Sequence, residues 1–137
     1  MEQPPAGLTY QGKPRTFGVR LSHADIAVIV IGIAAGVLGF NFVGEIALFI
    51  PYVVAHFFLF CNVFRIRRSP EILWASIFLI NCIAWFAAGF VNVYYICASQ
   101  LLVTLYIILR EIRQPCYHGI FAQRLNPKLP DYLQGKI

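Results

Sequence analysis

Between Asp25 and Phe64 the chain has no basic residue, and between Glu71 and Leu109 it again has none. Charge of either sign is scarce, at 12% of residues against 59% hydrophobic, where soluble domains carry roughly one quarter charged. A chain of 137 residues cannot hide that much apolar surface from water, which excludes the soluble globular class. The net charge of +5 does not indicate nucleic acid as a partner, because the eleven Lys and Arg gather in three short stretches. These hold Lys13, Arg15 and Arg20; then Arg65, Arg67 and Arg68; then Arg110, Arg113, Arg124, Lys128 and Lys136. Such clustering is a topology signal, with Arg65, Arg67, Arg68, Arg110 and Arg113 as anchors at the face of a lipid bilayer.

Chemical motifs are also missing. The four cysteines, Cys61, Cys82, Cys97 and Cys116, form no CxxC pair, so free thiols are expected. There is no phosphate loop, nucleophile elbow or zinc-protease motif, and no set of residues reads as catalytic. Small multidrug exporters need a mid-membrane carboxylate in the first helix, where this chain has Gly32 to Gly36. Quinone-linked thiol oxidoreductases need a CxxC. Diheme membrane cytochromes need several intramembrane histidines, and here there is His56, since His23 and His118 fall at or beyond the surface.

What is present is two apolar stretches of about forty residues each. A helix rises about 1.5 Å per residue and the hydrocarbon core is about 30 Å thick, so one crossing takes about twenty residues. Each stretch is therefore predicted to fold as a hairpin. The positive-inside rule agrees independently, because three basic clusters on one side require an even number of crossings between them. The predicted fold is an all-α membrane protein with four transmembrane helices in two antiparallel hairpins and both termini cytoplasmic. Residues 1–21 form an N-terminal arm, 22–113 the transmembrane domain, and 114–137 a cytoplasmic tail. The helices are expected over about 22–40, 46–64, 71–89 and 91–113.

Local signals set these bounds. The arm contains Pro4, Pro5 and Pro14, and it lacks the features of a cleaved signal peptide. Ser22-His23-Ala24-Asp25 reads as a capping box, Asn41 to Glu45 as a reversal, and Pro51 as a kink. Ser69-Pro70-Glu71 reads as a hydroxyl cap, a proline and a first-turn acid. Pro115 stops the fourth helix. Trp74 and Tyr106 are expected at the cytoplasmic interface, and Trp85, Tyr94 and Tyr95 at the opposite one. The tail is expected to lie on the membrane surface or on a partner, held by Phe121 and Leu125.

Depth then singles out a polar layer. His56 is nine residues from Arg65, Asn81 ten from Glu71, and Gln100 ten from Arg110, which places each about 15 Å deep. The sharp reading of His56 is contact with a cofactor: a haem iron, a chlorophyll magnesium or a quinone carbonyl. Proton transfer is a further option. The plainer reading is a neutral imidazole bonded to Asn81 or Gln100 that locks the packing. Asn81 and Gln100 are read as interhelical glue, with Cys97, Gln100 and Thr104 sharing one face. Gly32, Gly36 and Gly39 form a small-residue stripe that admits a close helix, internal or external, or a flat cofactor. Glu45 is the one acid expected on the far side, exposed at a turn.

The functional expectation is an accessory or anchoring membrane subunit of a larger inner-membrane complex of respiratory, photosynthetic or monooxygenase type. Other membrane subunits would be its partners and a bacterial inner membrane its location. The alternative is a homo-oligomeric transporter or channel for a small solute, with Glu45, His56, Asn81 and Gln100 along its path.

Overall fold

The computed structural model describes Thr9–Tyr10, Lys13–Pro14, residues 16–90 and residues 92–137. Pro4, Pro5, Arg15 and Val91 lie outside the described residues. Apart from a two-residue antiparallel ladder, β1 (Thr9–Tyr10) with β2 (Lys13–Pro14), the regular structure is helical. Three helical stretches, His23–Val63, Arg68–Ala87 and Val93–Ile112, are long and apolar enough to cross a membrane. The chain is a membrane-spanning helical protein.

The first stretch doubles back. Helix α1 (His23–Val43) opens on the capping box: Asp25 N donates to Ser22 Oγ at 3.2 Å, and Ser22 N to Asp25 Oδ2 at 2.8 Å. It outruns the expected end at Phe40 and closes at Gly44, whose φ of +62° lies where a side chain is disfavoured. A 3-10 turn (Gly44–Leu48) leads into α2 (Phe49–Phe58) and then one π-helical turn (Leu59–Val63). Pro51 falls in the first turn of α2, where its missing N–H costs no intrahelical bond.

The two arms of this hairpin meet through the glycine stripe. A Cβ at Gly36 would stand 2.8 Å from Pro51 Cδ, one at Gly32 3.0 Å from a Val54 methyl, and one at Gly39 3.2 Å from Ala47 Cβ. Gly32 and Gly36 are the buried residues of α1. The partner of the stripe is thus α2 and the turn before it. Close backbone approach and dispersion hold such a pair, since lipid supplies no hydrophobic drive between helices.

The second hairpin is held by polar groups. Helix α3 (Arg68–Ala87) starts before the expected Glu71, with Arg67 rather than Ser69 at its cap and no side-chain capping bond. Helix α4 (Val93–Ile112) starts at Asn92, whose Oδ1 accepts from Tyr94 N and Tyr95 N. Between them Asn81 Nδ2 donates to Ser99 Oγ at 2.9 Å and Ile96 O at 3.1 Å. Gln100 Nε2 donates to Trp74 O at 3.2 Å, and Trp74 Nε1 to Thr104 Oγ1 at 2.9 Å.

Aromatic rings join the hairpins. Phe49, Tyr52, His56 and Phe60, at spacings of three and four, present one helix face to Trp74 and Phe78 of α3. Trp74 is therefore not an interfacial belt residue: it is buried at the centre of this core. Tyr94, Tyr95 and Tyr106 are all exposed.

The tail folds on the chain itself. Short helices α5 (Ala122–Leu125) and α6 (Leu129–Leu133) bury Tyr117, Ala122 and Leu129 against Phe64 and Ile112. Asn126 staples the segment, donating to Pro115 O at 2.8 Å and Tyr117 O at 2.7 Å. Gly119 lies so near Phe64 that a Cβ would overlap its carbonyl group. Phe121 and Leu125, the expected anchors, are exposed on the outside of this folded tail.

Candidate functional site

Two places gather chemistry-bearing side chains: the layer around His56 and the charged end of the bundle. In the first, His56 is 7% exposed. Its ring stacks on Trp74, with centres 4.8 Å apart and planes inclined by 17°, and lies 4.2 Å from the Tyr52 ring. Nδ1 stands 2.9 Å from Tyr52 O. A carbonyl only accepts, so Nδ1 carries the proton and the lone pair sits on Nε2. That nitrogen has no hydrogen-bond partner among the described residues.

The expected partners Asn81 and Gln100 do not reach His56. They bond to each other at 3.4 Å and to the α3–α4 seam. The carbonyl four residues back on the same helix took their place, because it is in reach of any helical imidazole. Tyr52 also ties this layer across the bundle, its hydroxyl donating to Cys97 O at 3.1 Å. Among the described residues no three His, Cys, Asp or Glu side chains converge as metal ligands.

The charged end is built from chain segments far apart in sequence. The last carbonyls of α2 and its π turn need partners, as at any helix C-terminus. Phe60 O accepts from Ile66 N at 2.7 Å, Asn62 O from Arg20 N at 2.9 Å, and Val63 O from Ile120 N at 2.8 Å. Gly18 N donates to His118 O at 2.9 Å. The N-terminal arm, the basic loop and the tail are thereby drawn to one end of the helices.

A cavity of about 1040 Å³ opens there. Its walls include Arg20, Asp25, Asn62, Arg65, Arg67, Glu111, Cys116 and His118. Arg67 grips the buried Glu111 carboxylate, with Nη2–Oε1 at 2.9 Å and Nε–Oε2 at 3.1 Å. Those bonds hold the Arg67 pKa above its ordinary value. Arg65 differs: its Nη1 donates to Thr16 O and Oγ1, both uncharged. Burial lowers its pKa, against a raising contribution from Tyr132 and a smaller lowering one from Arg20. Arg67 and Arg110 line a separate recess of about 270 Å³, Arg68 is the first residue of α3, and Arg113 caps α4.

Glu111 escapes sequence reading because it sits among Arg110 and Arg113, where an acid looks like local neutralisation. The aromatic face of α2 carries a signal that could have found it, the regular spacing of Phe49, Tyr52, His56 and Phe60. Glu45 is exposed beside the turn at Gly44. No family model, curated protein or solved structure matches the chain.

Proposed function

We propose that the chain is an accessory or anchoring subunit of a larger complex in a bacterial inner membrane, crossing it four times with both termini and the Arg65–Arg68 loop in the cytoplasm. The reversal at Gly44 supports counting the first stretch twice, since α1 alone has 21 residues, about one hydrocarbon thickness. The meeting of Arg20, the Arg65–Arg68 loop and the tail at one end of the helices supports the orientation.

The observation that carries the subunit reading is the inward closure of the intramembrane polar groups. Asn81, Ser99, Gln100 and Thr104 spend their bonds on one another and on nearby backbone. His56 is enclosed by rings, and the large cavity opens at the charged end. A transporter needs such groups turned toward a path. The helices instead offer lipid or neighbouring chains a broad apolar surface, widest on α1, where Ile31, Val37, Leu38 and Phe42 are exposed.

Gentle extraction from native membranes, followed by size exclusion and mass spectrometry, tests this reading. A partner chain in fixed stoichiometry is expected; a homo-oligomer free of other chains moves the assignment to a small-solute transporter. Single cysteines in place of Gly44 and Gly89 should react with a membrane-impermeant reagent only from outside. Reaction of the Gly44 position from the cytoplasm alone would sink the four-crossing topology.

A further inference from the structure

The arm and the tail leave large apolar side chains on the outside of the charged end. Phe17, Val19 and Leu21 are exposed in alternation along the arm, and Phe121 and Leu125 on the tail. These groups are far apart in sequence, and backbone bonds bring them together. Gly18 N donates to His118 O at 2.9 Å and to Gly119 O at 3.2 Å, so Phe17 and Val19 flank the point where the arm meets the tail just ahead of Phe121. Leu125 N donates to Phe121 O at 3.0 Å, which sets those two side chains one helical turn apart.

The inner side of the tail is already occupied. Tyr117, Ala122 and Leu129 are buried against Phe64 and Ile112, leaving Phe121 and Leu125 outside that core. A tail bathed in water would carry polar residues on its outer side. Large apolar groups gathered there, with polar neighbours at their rim, mark a contact surface.

What covers the surface follows from where it stands. Val63 ends the first long apolar stretch, and its carbonyl holds the tail through Ile120 N at 2.8 Å. Ile112, which the tail packs on, is the last residue of α4. Leu21 comes just before α1 begins, and the exposed Ile26 and Val30 carry the apolar surface on from it into the span. The arm and the tail are thus tied to the ends of helices apolar enough to cross a membrane, near the level where hydrocarbon gives way to headgroups. Arg124 and Lys128 are exposed beside Phe121 and Leu125, and cations bordering apolar groups suit an interface with anionic lipid. We propose that the arm and the tail form a lipid-contacting collar: their apolar groups enter the acyl boundary of the leaflet at that end, with Arg124 and Lys128 on anionic headgroups. The collar needs only the membrane location, not the subunit reading, so the two fail separately.

The test uses the full chain in its native membrane, with the photoreactive p-benzoylphenylalanine placed at position 19, 121 or 125. Position 123 serves as contrast, because Gln123 is exposed and polar in the same short helix. The new ring replaces exposed side chains, so the fold is kept, and melting curves like that of the wild type check this. After illumination, mass spectrometry should find phospholipid adducts at 19, 121 and 125 and few at 123. Adducts to another protein, or to a second copy of this chain, assign the surface to a protein contact and overturn the collar. Lipid adducts as frequent at 123 as at 121 and 125 also overturn it. In vesicles that mix phosphatidylglycerol with phosphatidylcholine, the adducts should favour phosphatidylglycerol beyond its share. Arg124→Gln with Lys128→Gln should lower that preference by up to about fivefold for each charge removed. An unchanged preference overturns the role of the two cations.

Discussion

Arg67 and Glu111 stand 44 positions apart in the chain, and their side chains meet in a two-pronged ion pair that ties the start of α3 to the end of α4. The pair is lopsided, with 53% of the Arg67 side chain exposed but 5% of Glu111. The two deletions should therefore differ. Arg67→Ala strands a carboxylate in a poorly solvated place and should cost about 1–2 kcal/mol, discounted for exposure. Glu111→Gln leaves an arginine that water can reach and should cost about half that. Thermal unfolding in detergent checks the order; a larger loss for Glu111→Gln contradicts it.

The glycine stripe should show a graded response to alanine. At Gly36 the new methyl meets the rigid Pro51 ring at 2.8 and 2.9 Å, whereas at Gly39 it meets only Ala47 Cβ at 3.2 Å. Gly36→Ala should cost about 1–3 kcal/mol, as overpacking does, with Gly32→Ala intermediate and Gly39→Ala least. Gly36→Leu should open the hairpin within one chain, even where assembly with other chains persists. Denaturant titration of helicity ranks the three. If Gly39→Ala is the worst of them, the contact with Pro51 is unimportant.

His56 can be tested for packing against chemistry with two substitutions. Phenylalanine keeps a ring over Trp74, and glutamine does not. If stacking is the role, His56→Phe should lie within about 1 kcal/mol of wild type and His56→Gln should be worse. If Nε2 ligates a haem or a chlorophyll, both changes abolish the visible absorption of the natively purified protein. Absorption spectra beside melting curves separate these outcomes.

The tail should come loose in alkali. The Tyr117 hydroxyl donates to Ile120 O at 2.8 Å, and burial pushes its pKa from 10.0 up to about 12. The folded tail keeps the proton that the unfolded tail releases near pH 10. The contribution is thus complete below pH 10 and is lost as the pH rises toward 12, amounting to about 2–3 kcal/mol. Tyrosinate absorbance and limited proteolysis of residues 114–137 should change together in that window. Tyr117→Phe should remove the pH dependence of cleavage there.

The parts readable from sequence are those set by neighbours along the chain. Ser22 and Asp25 are three residues apart, so their reciprocal cap needs nothing distant. Gly32, Gly36 and Gly39 define a face, but the residues opposite, Val54, Pro51 and Ala47, follow only from where the chain turns. Counting depth brings His56, Asn81 and Gln100 to one level, yet depth is silent about azimuth. Asn81 and Gln100 share a seam from which His56 is turned away toward Trp74. The π turn at Leu59–Val63 and the folding of the tail rest on backbone bonds to Arg20, Ile66 and Ile120, which leave no trace in side-chain pattern. The cavity is invisible for the same reason, being assembled from the arm, the loop and the tail.

The bonding of the end of α2 has a consequence for biogenesis. The Asn62 carbonyl is satisfied by an amide made long before it, at Arg20, while the Val63 carbonyl is satisfied by one made long after, at Ile120. During synthesis α1 and α2 can close on the glycines while Val63 still waits for its partner. The end of α2 is finished only when α4 has been made and residue 120 has cleared the ribosome. A chain truncated after α4 would keep its helices and lose the lock on its first hairpin, leaving quality-control proteases an open end to recognise.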